Sequence, residues 1–104
     1  MADSDKIAAK AKDLDFQGRV KAFFQKAAIA VSSEDEATPN HAERLVFAGK
    51  VMYGQITLYQ LAMAALTNPT IWATVAADGE PSDNDLEFSV NSIIDPFAMT
   101  GAVI

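Results

Sequence analysis

Apolar residues spaced three and four apart, with no run of strict alternation bounded by hairpin signals, restrict this chain to helices. Phe16, Val20, Phe23, Phe24, Ala27 and Val31 form the longest such series. Asp15 is placed to cap its start, and its four-residue spacing to Arg19 is the favoured acid-first order. The pattern predicts a helix over 15–31, preceded by a short, frayed one over 4–12. Residues 32–38 are polar and acidic and read as a loop.

Thr38-Pro39 reads as the next helix start, because a proline at the first helical position gives up an N–H that would be unpaired anyway. Ala42, Leu45, Val46, Val51 and Met52 supply the expected inner stripe of that helix, and Gly54 is expected to end it. Residues 56–66 are apolar on almost every side, which predicts a central, deeply buried helix. Asn68-Pro69 repeats the Thr38-Pro39 device and opens a short helix to about Ala76, carrying Ile71, Trp72 and Val75. Asp78-Gly79-Glu80-Pro81 has the composition of a turn. Ser82 is set to cap the last helix, with Asp83 and Asp85 at the positive end of its dipole. Leu86, Val90, Ile93 and Ile94 are expected to face inward, and Asp95-Pro96 to end the helix.

The fold expected is all-α, a small helical bundle of four to six helices with an extended apolar C-terminal tail. Residues 1–14 would form an N-terminal arm or short helix, 15–95 the bundle and 96–104 the tail. At 104 residues there is room for one core but not for a deep enclosed active site. With no cysteine, disulfides, thiolate catalysis and Cys-type zinc sites are all removed, and a reducing cytoplasm is a fitting place of synthesis. The N-terminus lacks the apolar run of a signal peptide. No apolar run is long enough to cross a bilayer core of about 30 Å, so no membrane association is expected.

The net charge of −6 conceals an asymmetry. Lys6, Lys10, Lys12, Arg19, Lys21 and Lys26 outweigh the acids of residues 1–31 by +2, whereas residues 32–104 carry −8 and no base after Lys50. Such a dipolar chain could pack head-to-tail on copies of itself, orient on a charged partner, or simply spread its charge over a solvated surface. Lys12, Arg19 and Lys26 recur at seven-residue intervals and share a helix face, a candidate contact for an acidic protein. The acidic balance disfavours nucleic acid.

Chemistry-bearing patterns are sparse. His41 is the sole histidine and is expected at a helix end. The cluster Asp78, Glu80, Asp83, Asp85 and Glu87 does not fit a calcium loop, since Gly79 falls at the second position and Pro81 breaks the ligand spacing. No sugar-cleavage pair and no phosphate-cradling glycine loop is evident. The reading is therefore of a non-enzyme with no catalytic residue, metal or cofactor. The uncharged tail, with Pro96, Phe97, Met99, Val103 and Ile104, is the main candidate interface. It could fold back on its own bundle or dock on a neighbouring subunit.

Asn68-Pro69-Thr70-Ile71, followed by Ser82-Asp83-Asn84-Asp85-Leu86-Glu87-Phe88-Ser89-Val90-Asn91-Ser92, resembles the C-terminal signature of small proteins from the structural modules of tailed bacteriophages. Thr38-Pro39-Asn40-His41-Ala42-Glu43-Arg44 looks like their second helix opening. The resemblance spans about residues 15–98. It implies a virion component made in the host cytoplasm, a head–tail connector or adaptor subunit or a capsid-associated accessory protein. Homo-oligomerisation and contacts with portal, tail or capsid proteins would follow, with no catalytic residues to transfer. The alternative is a stand-alone cytoplasmic helical binding or regulatory module, using a groove beside Tyr53, Tyr59 and Trp72.

Overall fold

The structure is a computed structural model that describes the backbone of residues 3–100 and the side chains of residues 4–94. It is an all-helical bundle of six helices, and there is no strand among the described residues. In chain order these are α1 (Asp3–Ala11), α2 (Leu14–Ser32), α3 (His41–Met52), α4 (Leu58–Leu66), α5 (Pro69–Ala76) and α6 (Asp83–Thr100).

The central element is α2, which packs against α1, α3, α4 and α6. Its buried residues Phe16, Val20, Phe24, Ala28 and Val31 climb one face in steps of three and four. Asp13, not Asp15, caps it: the Asp13 carboxylate accepts from Phe16 N–H at 3.1 Å while Asp15 sits in the first turn. That backbone hydrogen bond holds the Asp13 carboxyl below the usual carboxylate range. The N-terminal helix is no loose arm, because Ala11 is fully buried and Ile7 packs on the core as α1 lies against α4.

Thr38-Pro39 does not open α3. The His41 N–H donates to the Thr38 carbonyl at 3.1 Å, closing a tight turn with Pro39 and Asn40 at its corner, and Asn40 is left-handed (φ 61°). Asparagine after proline suits such a turn, so helix starts only at His41. Where threonine follows the proline, the expected device works: Asn68 accepts from Thr70 N–H at 3.0 Å and Pro69 is the first residue of α5. At α4, Thr57 and Gln60 form a reciprocal capping box that the threonine–glutamine spacing already encodes.

The face of α3 also departs from expectation. Its buried residues are Phe47, Ala48 and Val51, while Ala42, Leu45, Val46 and Met52 point outward. Helical periodicity finds two apolar stripes on α3, and packing against α2 and α6 selects the one bearing Phe47. The rings of Phe24 and Phe47 meet with centroids 5.9 Å apart, tilted by 54°. Nor is α4 buried all round; only Leu61, Ala62, Ala65 and Leu66 are, with Leu58 and Tyr59 exposed and Ile56 in the preceding turn.

Two helices end on the same hydrogen-bond pattern. Gly54, at φ 68°, follows α3, with Gln55 N–H donating to Lys50 and Gly54 N–H to Val51. After α5 the left-handed position is taken by Asp78, and Gly79 N–H donates to the Thr74 carbonyl. A Cβ on Gly79 would lie 3.1 Å from that carbonyl oxygen, so a side chain there would require Thr74 to give by a few tenths of an ångström. This closure delivers Ser82, whose Oγ accepts from Asp85 N–H and caps α6. Leu86, Val90, Ile93 and Ile94 are buried as expected. The backbone stays helical to Thr100, so Asp95-Pro96 does not end it. Proline costs a helix one hydrogen bond, here to the Ser92 carbonyl, and Ser92 is only partly buried, within reach of water.

Phe24→Ala is expected to cost about 3–5 kcal/mol in urea unfolding, the loss for a buried phenylalanine at the centre of a core. A cost under about 1 kcal/mol would contradict a core centred on α2. Ser89 is fully buried on α6 and its Oγ has no hydrogen-bond partner among the described residues. Ser89→Ala is therefore expected to leave stability unchanged or raise it by about 1 kcal/mol. A clear loss in the same measurement would show that the hydroxyl has a partner.

Candidate interaction surface

The acidic turn between α5 and α6 is matched in space by bases from the other end of the chain. Lys10 Nζ reaches Glu80 Oε1 at 2.9 Å and lies 5.3 Å from the Phe16 ring centroid. Arg19 pairs with Asp83 at 3.1 Å and Glu80 at 3.5 Å, and donates to the Pro81 carbonyl. Helix α1, the first turns of α2 and the 80–83 turn are thus tied at one end of the bundle. Two of the six bases of residues 1–31 and two of the ten acids of residues 32–104 are paired in this internal clamp.

The expected basic face is accordingly dispersed. Lys12 lies in the turn between α1 and α2, Arg19 is engaged by the clamp, and Lys26 borders a cavity of about 180 Å³ between α2 and α6 that Glu87 also lines. A larger open depression of about 460 Å³ beside the clamp mixes Lys6 and Lys10 with Asp13, Asp78 and Glu80. No group of three metal-ligating side chains occurs among the described residues. For the tail, residues 96–100 continue α6 in backbone. The side chains of Pro96, Phe97 and Met99, and all of Val103 and Ile104, lie outside the described residues.

A second polar cluster closes the α2–α3 loop. Glu34 Oε1 sits 2.8 Å from His41 Nδ1 and 3.1 Å from Arg44 Nε, with all three side chains largely buried. The hydrogen bond from His41, helped by Arg44 and opposed by desolvation, holds the Glu34 carboxyl below its ordinary value. His41 is at a helix end, as the sequence indicates, but is bound to a loop carboxylate ten residues before Arg44. The neighbouring Ser32 and Ser33 hydroxyls donate to the Ala28 and Ile29 carbonyls of α2. This geometry serves to hold the loop.

Leu14, Ile29 and Phe88 are exposed singly, and the longest run of outward-facing apolar side chains lies along α3. Leu45, Val46, Met52 and Tyr53 are 39%, 55%, 51% and 84% exposed. Ala42 is exposed beside them and Gly49 lies between them, with nothing within 4 Å of where its Cβ would be. Of the residues suggested for a ligand groove, Tyr53 and Tyr59 are exposed, whereas Trp72 packs partly against the core. No helix is long and apolar enough to cross a membrane among the described residues. Set against protein-family models, curated proteins and solved structures, the chain matches none of them.

Because Glu34 has a lower pKa folded than unfolded, it stabilises the fold fully above its ordinary value of 4.5. That contribution fades as pH falls through the folded value. The thermal midpoint is expected to drop below about pH 4.5, and to drop less steeply in Glu34→Gln. Parallel pH profiles for the two proteins would contradict a stabilising role for the Glu34 pairs.

Proposed function

We propose that this chain is a non-enzymatic virion structural protein of a tailed bacteriophage, a head–tail connector or adaptor subunit. It assembles with copies of itself and with portal, tail or capsid proteins through helix packing and docking of its uncharged C-terminal tail. Synthesis takes place in the host cytoplasm and the working location is the virion. The observation that carries the reading is α3, which is apolar on its buried face and on its exposed one. A helix of that kind needs a cover on both sides. The polar loops are meanwhile occupied internally, the acidic turn by Lys10 and Arg19 and the α2–α3 loop by the Glu34 cluster. The Asn68-Pro69 and Ser82-Asp83 motifs supply the resemblance to phage structural modules, and both are helix starts here.

Mass photometry of the purified chain, alone and mixed with portal, tail and capsid proteins, tests the proposal. A discrete ring or a stoichiometric complex is expected. Deleting residues 96–104 should abolish that complex while nearly preserving the helical circular dichroism. A chain that joins none of these proteins, or a truncated chain that still assembles on them, contradicts the proposal.

A further inference from the structure

Around the axis of α3, Ala42, Leu45, Val46, Gly49, Met52 and Tyr53 fall within an arc of about 120°, facing away from Phe47 and Val51. Such an arc is wide enough to seat a second helix. The order of side-chain sizes along it decides which helix fits. Two small residues, Ala42 and Gly49, alternate with two large ones, Leu45 and Met52, at steps of three and four.

We infer that α3 is a self-association surface on which a second copy of this chain docks its own α3, antiparallel, about a two-fold axis level with residue 47. In that register Leu45 meets Gly49 of the partner subunit, and Met52 meets Ala42 of the partner subunit. Along the line Ala42, Leu45, Gly49 and Met52 each layer sets a large side chain against a small one, the condition for knobs to enter holes, and Val46 and Tyr53 flank that line on one side. A parallel pairing would instead stack Gly49 on Gly49 of the partner subunit and Leu45 on Leu45 of the partner subunit, alternating voids with collisions. The antiparallel register also brings Glu43 to the level of Lys50 of the partner subunit, opposite charges on one flank of the seam. Since the same patch is used twice, the contact closes at two copies. The pairing requires neither the C-terminal tail nor a virion partner, so it goes beyond the assembly role proposed above.

One helix face covers less than the roughly 800 Å² per partner of a standard interface, so self-association belongs in the micromolar range. Sedimentation equilibrium between about 1 µM and 1 mM should show monomer and dimer. Gly49→Leu fills the hole. Position 49 is open in the single chain, and leucine is the better helix former, so helical signal and thermal midpoint should hold or rise. The dimerisation midpoint should nonetheless move to a concentration about tenfold higher or more. Register is read separately with Ala42→Cys combined with Met52→Cys. These sites are about 15 Å apart on one helix, beyond the roughly 7 Å limit for an internal disulfide. Mild oxidation should therefore give a covalent dimer in the double variant and none with Ala42→Cys alone. A chain that stays monomeric to 1 mM, an unchanged midpoint in Gly49→Leu, or equal cross-linking by Ala42→Cys alone overturns the inference. If residues 101–104 of the same chain cover the stripe, the native chain stays monomeric and removing those four residues creates the dimer, which overturns it as well.

Discussion

Each of the other helices except α5 is positioned by what it lays against the buried seam of α2, from Phe16 through Phe24 to Val31. Helices α3, α4 and α6 pack along that seam, and α1 touches it while resting mainly on α4. Phe24 and Phe47 meet where α2 and α3 cross. The scale of the terms shows why this seam governs the fold. A buried phenylalanine contributes about 3–5 kcal/mol, whereas an ion pair with one exposed partner contributes about 1 kcal/mol or less. Glu80 is 68% exposed, so the Lys10 and Arg19 clamp trims the bundle end and does not build it.

The clamp changes the meaning of the charge layout. Along the sequence the bases lie early and the acids late, which suggests a dipole free to orient partners. In the fold the Asp78–Gly79 closure after α5 turns the acidic segment back onto α1 and α2, and part of that dipole is neutralised inside one chain. The α2–α3 loop is likewise held by its own Glu34, His41 and Arg44. Two acid–base clusters are thus fixed within the chain. The most continuous exposed apolar surface lies on α3.

Where local rules act alone, the sequence was legible. The helix of Asn68-Pro69, the Ser82 cap, the Gly54 stop and the inward set Leu86, Val90, Ile93 and Ile94 all follow from capping chemistry and period. Thr38-Pro39 misled because the outcome depends on the next residue: Asn40 accepts a left-handed turn and Thr70 does not need one. The face of α3 misled for a different reason. Two stripes satisfy the helical period equally, and only contact with α2 and α6 chooses between them. Ion pairs such as Lys10–Glu80, seventy residues apart, leave no local trace in a sequence. Lys12, Arg19 and Lys26 share a face only if one helix runs through all three, and the interruption between α1 and α2 at Asp13 and the clamp on Arg19 separate them.

The central claim is that ion pairs within the chain fix the acidic turn and the α2–α3 loop, while the outer face of α3, the longest run of exposed apolar side chains, is left for another molecule. Amide chemical shifts recorded by two-dimensional nuclear magnetic resonance along a dilution series test it most directly. Concentration-dependent shifts are expected to concentrate on residues 42–53, with Lys10, Arg19 and residues 80–83 unmoved. Shifts centred on the clamp, or none on α3 up to about 1 mM, would contradict the account.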